Sequence, residues 1–288
     1  MNDSLKVLKI KIYQPQAHYR MPFTYQRRHT YPIPPYSTVI GLLCNLLGIR
    51  NNNGDGEPND DNYLKLKNIK ISIAGTFESK TTEYIWLRNL SKESHISRFG
   101  SYTNRYVGGH IEHIGGQMPA PTDILNDVRL WIYLYHKDES FLDHKGKTFL
   151  EEIKDSFENP NNRISVLHLG RAEDWIVIED LKFVELKYRK IGGDFKKFFW
   201  IPKDLYLPNN KNINNWEEHY KKIEGIAYRI TTYYKLQNGI RNFDYVEVKL
   251  NSGELSFCEL NMEVLFDEEE NLPIFLANLQ GGYKENVE

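Results

Sequence analysis

The chain has 288 residues, with 37 Lys and Arg against 39 Asp and Glu, for a formal net charge of -2. A 40% hydrophobic and 13% aromatic content excludes a chain disordered throughout, and the near-neutral balance excludes a uniform polycation that coats nucleic acid. The charges are nevertheless segregated: residues 1–50 carry seven basic residues against Asp3, residues 182–203 carry seven against Glu185 and Asp194, and residues 259–288 carry eight acids against Lys284.

Leu5–Tyr13 alternates apolar residues with lysines and predicts a half-buried strand. Gln14–Pro35 has no helical period and reads as a loop rich in Pro, Arg, His and Tyr. Ser37 stands as the N-cap of a helix that Gly48 closes, and Asn51–Asn62 is a polar, turn-rich excursion. Ile69–Phe77 predicts a second strand and Ile124–Tyr135 a third, with Val128, Leu130, Ile132 and Leu134 on one face. The intervening Ser79–Thr122 is a long insertion that opens with a strand at Thr82–Leu90. Phe141–Phe157 has helical spacing, and Trp175–Tyr188 reads as a fourth strand buried on both faces. The order β-α-β-insertion-β-α-β predicts an α+β, ferredoxin-like core over residues 1–190. Beyond it, Ala227–Leu236, Asp244–Leu250 and Leu255–Leu260 predict a smaller, mostly β region over 191–288, with a turn at Asn251–Gly253. Its acidic tail carries the apolar segment Leu272–Leu279.

The chemistry concentrates in His18–Tyr36, where His18, Arg20, Arg27, Arg28 and His29 interleave with Tyr19, Phe23, Tyr25, Tyr31 and Tyr36. Guanidinium groups neutralise phosphates and aromatic faces stack on unpaired bases. The same composition also fits a solvated loop whose aromatics pack on the neighbouring helix. Lys187–Trp200 carries the same two readings. At Leu167–Asp174, Gly170 lets the backbone approach a phosphate beside the guanidinium of Arg171; the alternative is an ordinary turn with Arg171 paired to Glu173 or Asp174. Gly108-Gly109-His110 and Gly115-Gly116-Gln117 match neither a P-loop nor a dinucleotide fingerprint. No carboxylate or thiol set completes a site with His110 and His113, and Cys44 and Cys258 support neither a disulfide framework nor a zinc site, so no metal or cofactor is expected. No apolar run is long enough to span a bilayer and no signal-peptide pattern opens the chain, which predicts a cytoplasmic protein without membrane contact.

The blocks Ala17–Arg20, Thr30–Leu43, Pro121–Val128 and Leu169–Asp174 resemble the fifth CRISPR-associated protein family, the RAMP-type subunit that caps the crRNA 5′ handle in type I Cascade complexes, with subtype I-B the nearest variant. The resemblance implies a ferredoxin-like, RRM-type core with a thumb at Ser79–Thr122 and a glycine-containing loop at Gly170-Arg171. It assigns RNA contacts to His18, Tyr19, Arg20, Arg27, Arg28, His29, Tyr31, Tyr36, Ser37, Thr38, Gly170 and Arg171, with Lys9 and Lys11 extending that surface. The thumb, through Arg98, Arg105, Gly108, Gly109, His110 and Gln117, would fold over the guide RNA and meet the backbone RAMP subunit. Further partners implied are the large subunit and, indirectly, target DNA. One branch of the family cleaves pre-crRNA with tyrosine, lysine and histidine and no metal. Here Met118-Pro119-Ala120 stands where its Lys-His element is expected, and His136-Lys137 lies beyond the third strand. The expectation is therefore a non-catalytic RNA-binding subunit, with a metal-independent endoribonuclease as the alternative.

Overall fold

The computed structural model describes residues 4–22, 24, 27–51, 54–88, 106–107, 110–111, 117–137, 146–192, 195–208, 216–238, 240–252 and 262–280. In chain order these form β1 (Ser4–Ala17), β2 (Tyr19–Arg20), β3 (Thr30–Tyr31), α1 (Tyr36–Leu47), α2 (Asp61–Leu66), β4 (Ile69–Thr76) and β5 (Ser79–Arg88). There follow β6 (Tyr106–Val107), β7 (His110–Ile111), β8 (Gln117–His136), α3 (Phe149–Glu158), β9 (Val177–Lys190) and β10 (Phe198–Pro202). The chain continues with α4 (Trp216–Lys222), β11 (Ile226–Gln237), β12 (Ile240–Asn251), β13 (Glu263–Asp267) and β14 (Leu272–Ile274).

The fold is mixed α and β and is dominated by one antiparallel sheet, ordered β11-β12-β10-β4-β8-β1-β9-β13-β14, with β5 also paired to β8. The strands beyond residue 190 extend this sheet on both of its edges. The alternation in β1 sends Leu8, Ile10 and Ile12 to a core shared with α1, α2 and α3. It sends Leu5 and Val7 to a second core, which also holds Phe199, Tyr220 and Leu272–Leu276. The apolar segment of the tail is thus part of the molecule's own interior. Leu255–Leu260 lies outside the described residues, and β12 pairs with β11 as a hairpin.

Local chemistry explains the element ends. Gly48 takes φ 75 and closes α1, where a side chain would be strained. Pro35 occupies the N-cap position and gives no side-chain cap; Ser37, expected there, lies inside the first turn and hydrogen-bonds Thr231 Oγ1 at 2.6 Å. Thr148 and Glu151 form a reciprocal capping box that starts α3 at Phe149. The Pro-rich run before α1 is pinned by Trp200, fully buried, whose Nε1 donates to the Pro34 carbonyl at 2.8 Å while its ring meets Tyr31 edge-on. In β8, Asp127 adopts φ 53, and its carboxylate accepts from the Tyr13 hydroxyl. Leu125 and Val128, three residues apart on either side of it, both enter the same core.

Candidate nucleic-acid interface

Two buried carboxylates organise the segment after β1. Asp123, on β8, receives Arg27 Nε at 2.8 Å, His29 Nδ1 at 3.0 Å and the Thr82 hydroxyl at 3.1 Å. Burial alone would raise its pKa, but the hydrogen bonds from Arg27, His29 and Thr82 outweigh that and hold the carboxyl below its ordinary value. Backbone bonds from Arg28 N to the Pro121 carbonyl and from Asp123 N to the Arg28 carbonyl lay this segment along β8.

Asp174 performs the same task for the second loop. Its carboxylate accepts from the backbone N–H of His18 at 2.9 Å and of Arg171 at 2.8 Å, and it takes the Arg171 guanidinium at 2.7 and 3.0 Å. Gly170 sits between them at φ 115, and a Cβ there would stand 2.9 Å from the His18 carbonyl oxygen. Only glycine permits this approach. The Tyr19 hydroxyl donates to Gln14 Oε1, and Gln14 Nε2 donates to the carbonyls of Leu169 and Asp174. The two sequence blocks that flank the first and fourth core strands are joined by this chain of bonds.

Not every predicted RNA contact reaches the surface. Tyr19, Tyr31 and Tyr36 are all buried, so their rings pack in the core and cannot stack on a base. His18 is buried as well: Nδ1 donates to the Asp123 carbonyl at 2.8 Å, and Nε2 has no hydrogen-bond partner among the described residues. Desolvation, assisted by Arg171 and Arg28 and opposed by that carbonyl, holds its pKa below the ordinary value and keeps the ring neutral. Arg171 is committed to Asp174, the turn-like alternative of the sequence. Arg27 and His29 are half-exposed and share Asp123. Arg20 is exposed and Arg28 half-buried, and neither has a carboxylate partner among the described residues. Burial and the neighbouring Arg20 both lower the Arg28 pKa. Ser37, Thr38 and Gly170 line a cleft of about 460 Å³ that also takes in Asn45, His168 and Arg241.

Lys9 does not extend a basic surface. It is fully buried on the opposite face, where Glu269 and Glu270 accept from its ammonium at 3.1 and 3.2 Å, and Asp180 and Asp267 lie at 3.6 and 3.7 Å. Asp267, Glu268, Glu269 and Glu270 of the tail are therefore spent within the chain. Lys11 pairs with Glu270 at 3.6 Å. In the basic–aromatic run Lys187–Trp200 the rings of Phe199 and Trp200 are buried and Lys197 lies over the Trp131 ring, whereas Lys187, Arg189, Lys190 and Lys196 are exposed. Of the thumb residues, Arg98, Arg105, Gly108 and Gly109 lie outside the described residues; His110 pairs with Val107 and Gln117 with Arg88.

Sequence reasoning missed Asp123 and Asp174 as the organisers, and it missed Tyr84 and Trp86 on β5, which are 73% and 60% exposed. Their signal was the alternation Lys80, Thr82, Tyr84, Trp86, which places two rings on one face of a strand.

The family model described as CRISPR-associated protein (Cas_Cas5) matches residues 7–243. No curated protein matches the chain in sequence. Among solved structures, the chain is similar to one described as a CRISPR RNA-guided surveillance complex, with a TM-score of 0.50 and 10% identity over 87% of this chain and 91% of that one. It is also similar to a CRISPR protein from Archaeoglobus fulgidus, with a TM-score of 0.36 and 11% identity over 90% of each chain. A chain of the type III-B Cmr-beta complex bound to cognate target RNA and AMPPnP aligns with a TM-score of 0.37 and 12% identity, over 88% of this chain and 86% of that one. At 10% identity the likeness to the surveillance-complex chain is one of fold.

Proposed function

The chain belongs to the CRISPR-associated Cas5 family, and on that premise we propose that it is a non-catalytic, RNA-binding subunit of a type I CRISPR surveillance complex. It caps the crRNA 5′ handle and contacts the backbone and large subunits. The observation that carries this reading is the pair Arg20 and Arg28. Arg20 on β2 pairs with Thr30, two residues from Arg28, its charge adds to burial in lowering the Arg28 pKa, and neither guanidinium has a carboxylate partner among the described residues. Like charges held together without an acid favour an incoming anion, and the phosphates of a hooked RNA end supply one. The strand order β4-β8-β1-β9, with α1 and α3 as crossovers, supports reading this core as ferredoxin-like. Fluorescence anisotropy with a repeat-derived RNA tests the proposal. Binding should weaken as salt rises, and Arg20→Ala with Arg28→Ala should flatten that dependence by about 0.7 in log–log slope for each phosphate no longer neutralised. Wild-type protein without measurable affinity for the RNA would refute it.

One observation favours a second reading, metal-independent cleavage of pre-crRNA. His29 is half-exposed, and its Nδ1 donates to the buried Asp123 carboxylate at 3.0 Å, a base–orienter geometry suited to proton transfer at Nε2. Incubation of labelled repeat RNA in EDTA separates the two. A discrete cut at the handle boundary that His29→Ala abolishes establishes cleavage, and intact RNA rejects it.

A further inference from the structure

Thr82, Tyr84 and Trp86 alternate along β5 and share one face of the strand. Thr82 fixes which face this is, because its hydroxyl donates to Asp123 and accepts from Arg27 Nη2 at 2.8 Å. The two exposed rings therefore stand in line with Arg27, His29 and the exposed Lys80. Successive residues on one face of a strand are about 6.8 Å apart, so each ring has open space around it. Directly across on β8 lie Pro121 opposite Tyr84 and Pro119 opposite Trp86, rigid residues that back the pair. The carboxylate within this line, Asp123, is buried and spent on Arg27 and His29. The exposed Lys80, which has no carboxylate partner among the described residues, stands at one end and bare aromatic faces at the other, an arrangement that matches a single-stranded polyanion with unpaired bases better than an apolar protein surface.

Resting on the RNA-binding reading above, we propose that Tyr84 and Trp86 form a stacking platform for unpaired bases of the bound RNA, continuing the path of phosphates set by Arg28, whose backbone bonds Pro121 opposite Tyr84, and by Lys80. The rings supply sequence-tolerant affinity and the cations supply charge, so the two contributions separate by salt.

Anisotropy titrations with an unstructured, labelled repeat-derived RNA at several salt concentrations test this. Tyr84→Ala and Trp86→Ala should each weaken binding about 5- to 100-fold and leave the salt slope unchanged, since no charge is removed. Trp86→Phe keeps a stacking face and should stay within about threefold of wild type. The same strand annealed to its complement should bind the wild type and the Ala variants alike. Both side chains are exposed, so thermal melts of the variants should match the wild type. If the double Ala variant binds RNA as wild type does while Arg20→Ala with Arg28→Ala weakens it, the platform is wrong and the RNA-binding reading stands. If the wild type binds no RNA, both fall. Loss of co-purifying subunits with unchanged RNA affinity would assign this face to a protein partner and overturn the platform.

Discussion

Lys9 and Arg28 are both basic residues of the first fifty, yet they occupy opposite electrostatic settings. Burial lowers the Lys9 pKa, but Glu269, Asp267 and Glu270 reverse that and leave it raised. Trp131 donates to Glu270, Tyr133 to Asp267 and Lys182 to Glu269, so the acids are themselves held in place. Arg28 has the reverse balance, lowered by burial and by a second cation with no acid to offset either. A basic residue whose counter-charge is built into the chain holds the fold together. One without it is available to a ligand. Charge counts along a sequence cannot tell the two apart, because the partners of Lys9 lie at the far end of the chain.

The sharpest way to test the contrast is Lys9→Ala. It leaves the buried Asp267 without its cation and Glu270 with Lys11 alone, and should cost about 3 kcal/mol of stability, read as a lower denaturant midpoint with an unchanged slope. Asp174→Asn should come next, at about 2 kcal/mol. It removes the anion that holds Arg171 and the His18 N–H, and RNA affinity should fall with stability. Acidification should act more weakly on the same groups. The carboxyls of Asp123 and Glu270 are held below their ordinary values of 3.8 and 4.5, so their contribution is complete above those values. It is lost as pH falls through the lower folded-state values. Thermal midpoints should therefore decline gently below about 6.5, where His18 takes up a proton when unfolded but not when folded, and more steeply below about 5 as the carboxyls follow. Arg20→Ala with Arg28→Ala should move stability least, within about 0.5 kcal/mol, while RNA affinity drops. A large stability loss in that variant would erase the distinction between the two settings.

Much of the architecture was legible. Periodicity locates β1, β4, β8 and β9, and Gly48 and Gly170 mark positions where the backbone turns left-handed. The Thr148–Glu151 capping box is also written in the sequence, although the helical spacing alone suggests an earlier start. The site was less legible. Alternation identifies Tyr19, Tyr31 and Tyr36 as aromatic but not as buried, because the same residue type serves a core and a stacking face equally well. The pairing of Arg171 with Asp174 is one of two readings open in the sequence, decided by Asp174 being almost fully buried and thus obliged to hold a cation. Asp123 could not be recognised because its partner Arg27 is 96 residues away.

Asp127 has a consequence of a different kind. It stands in the middle of a 20-residue strand at the point where the neighbour on one side changes, from β5 before it to β4 beyond it. One continuous strand thus serves two partners in turn. Ala120, Thr122 and Ile124 on one side and Val128, Leu130 and Ile132 on the other are all buried, so both halves are anchored in the interior. A break at this handover would loosen the strand that bears Tyr84 and Trp86 while leaving the pairing with β4 in place.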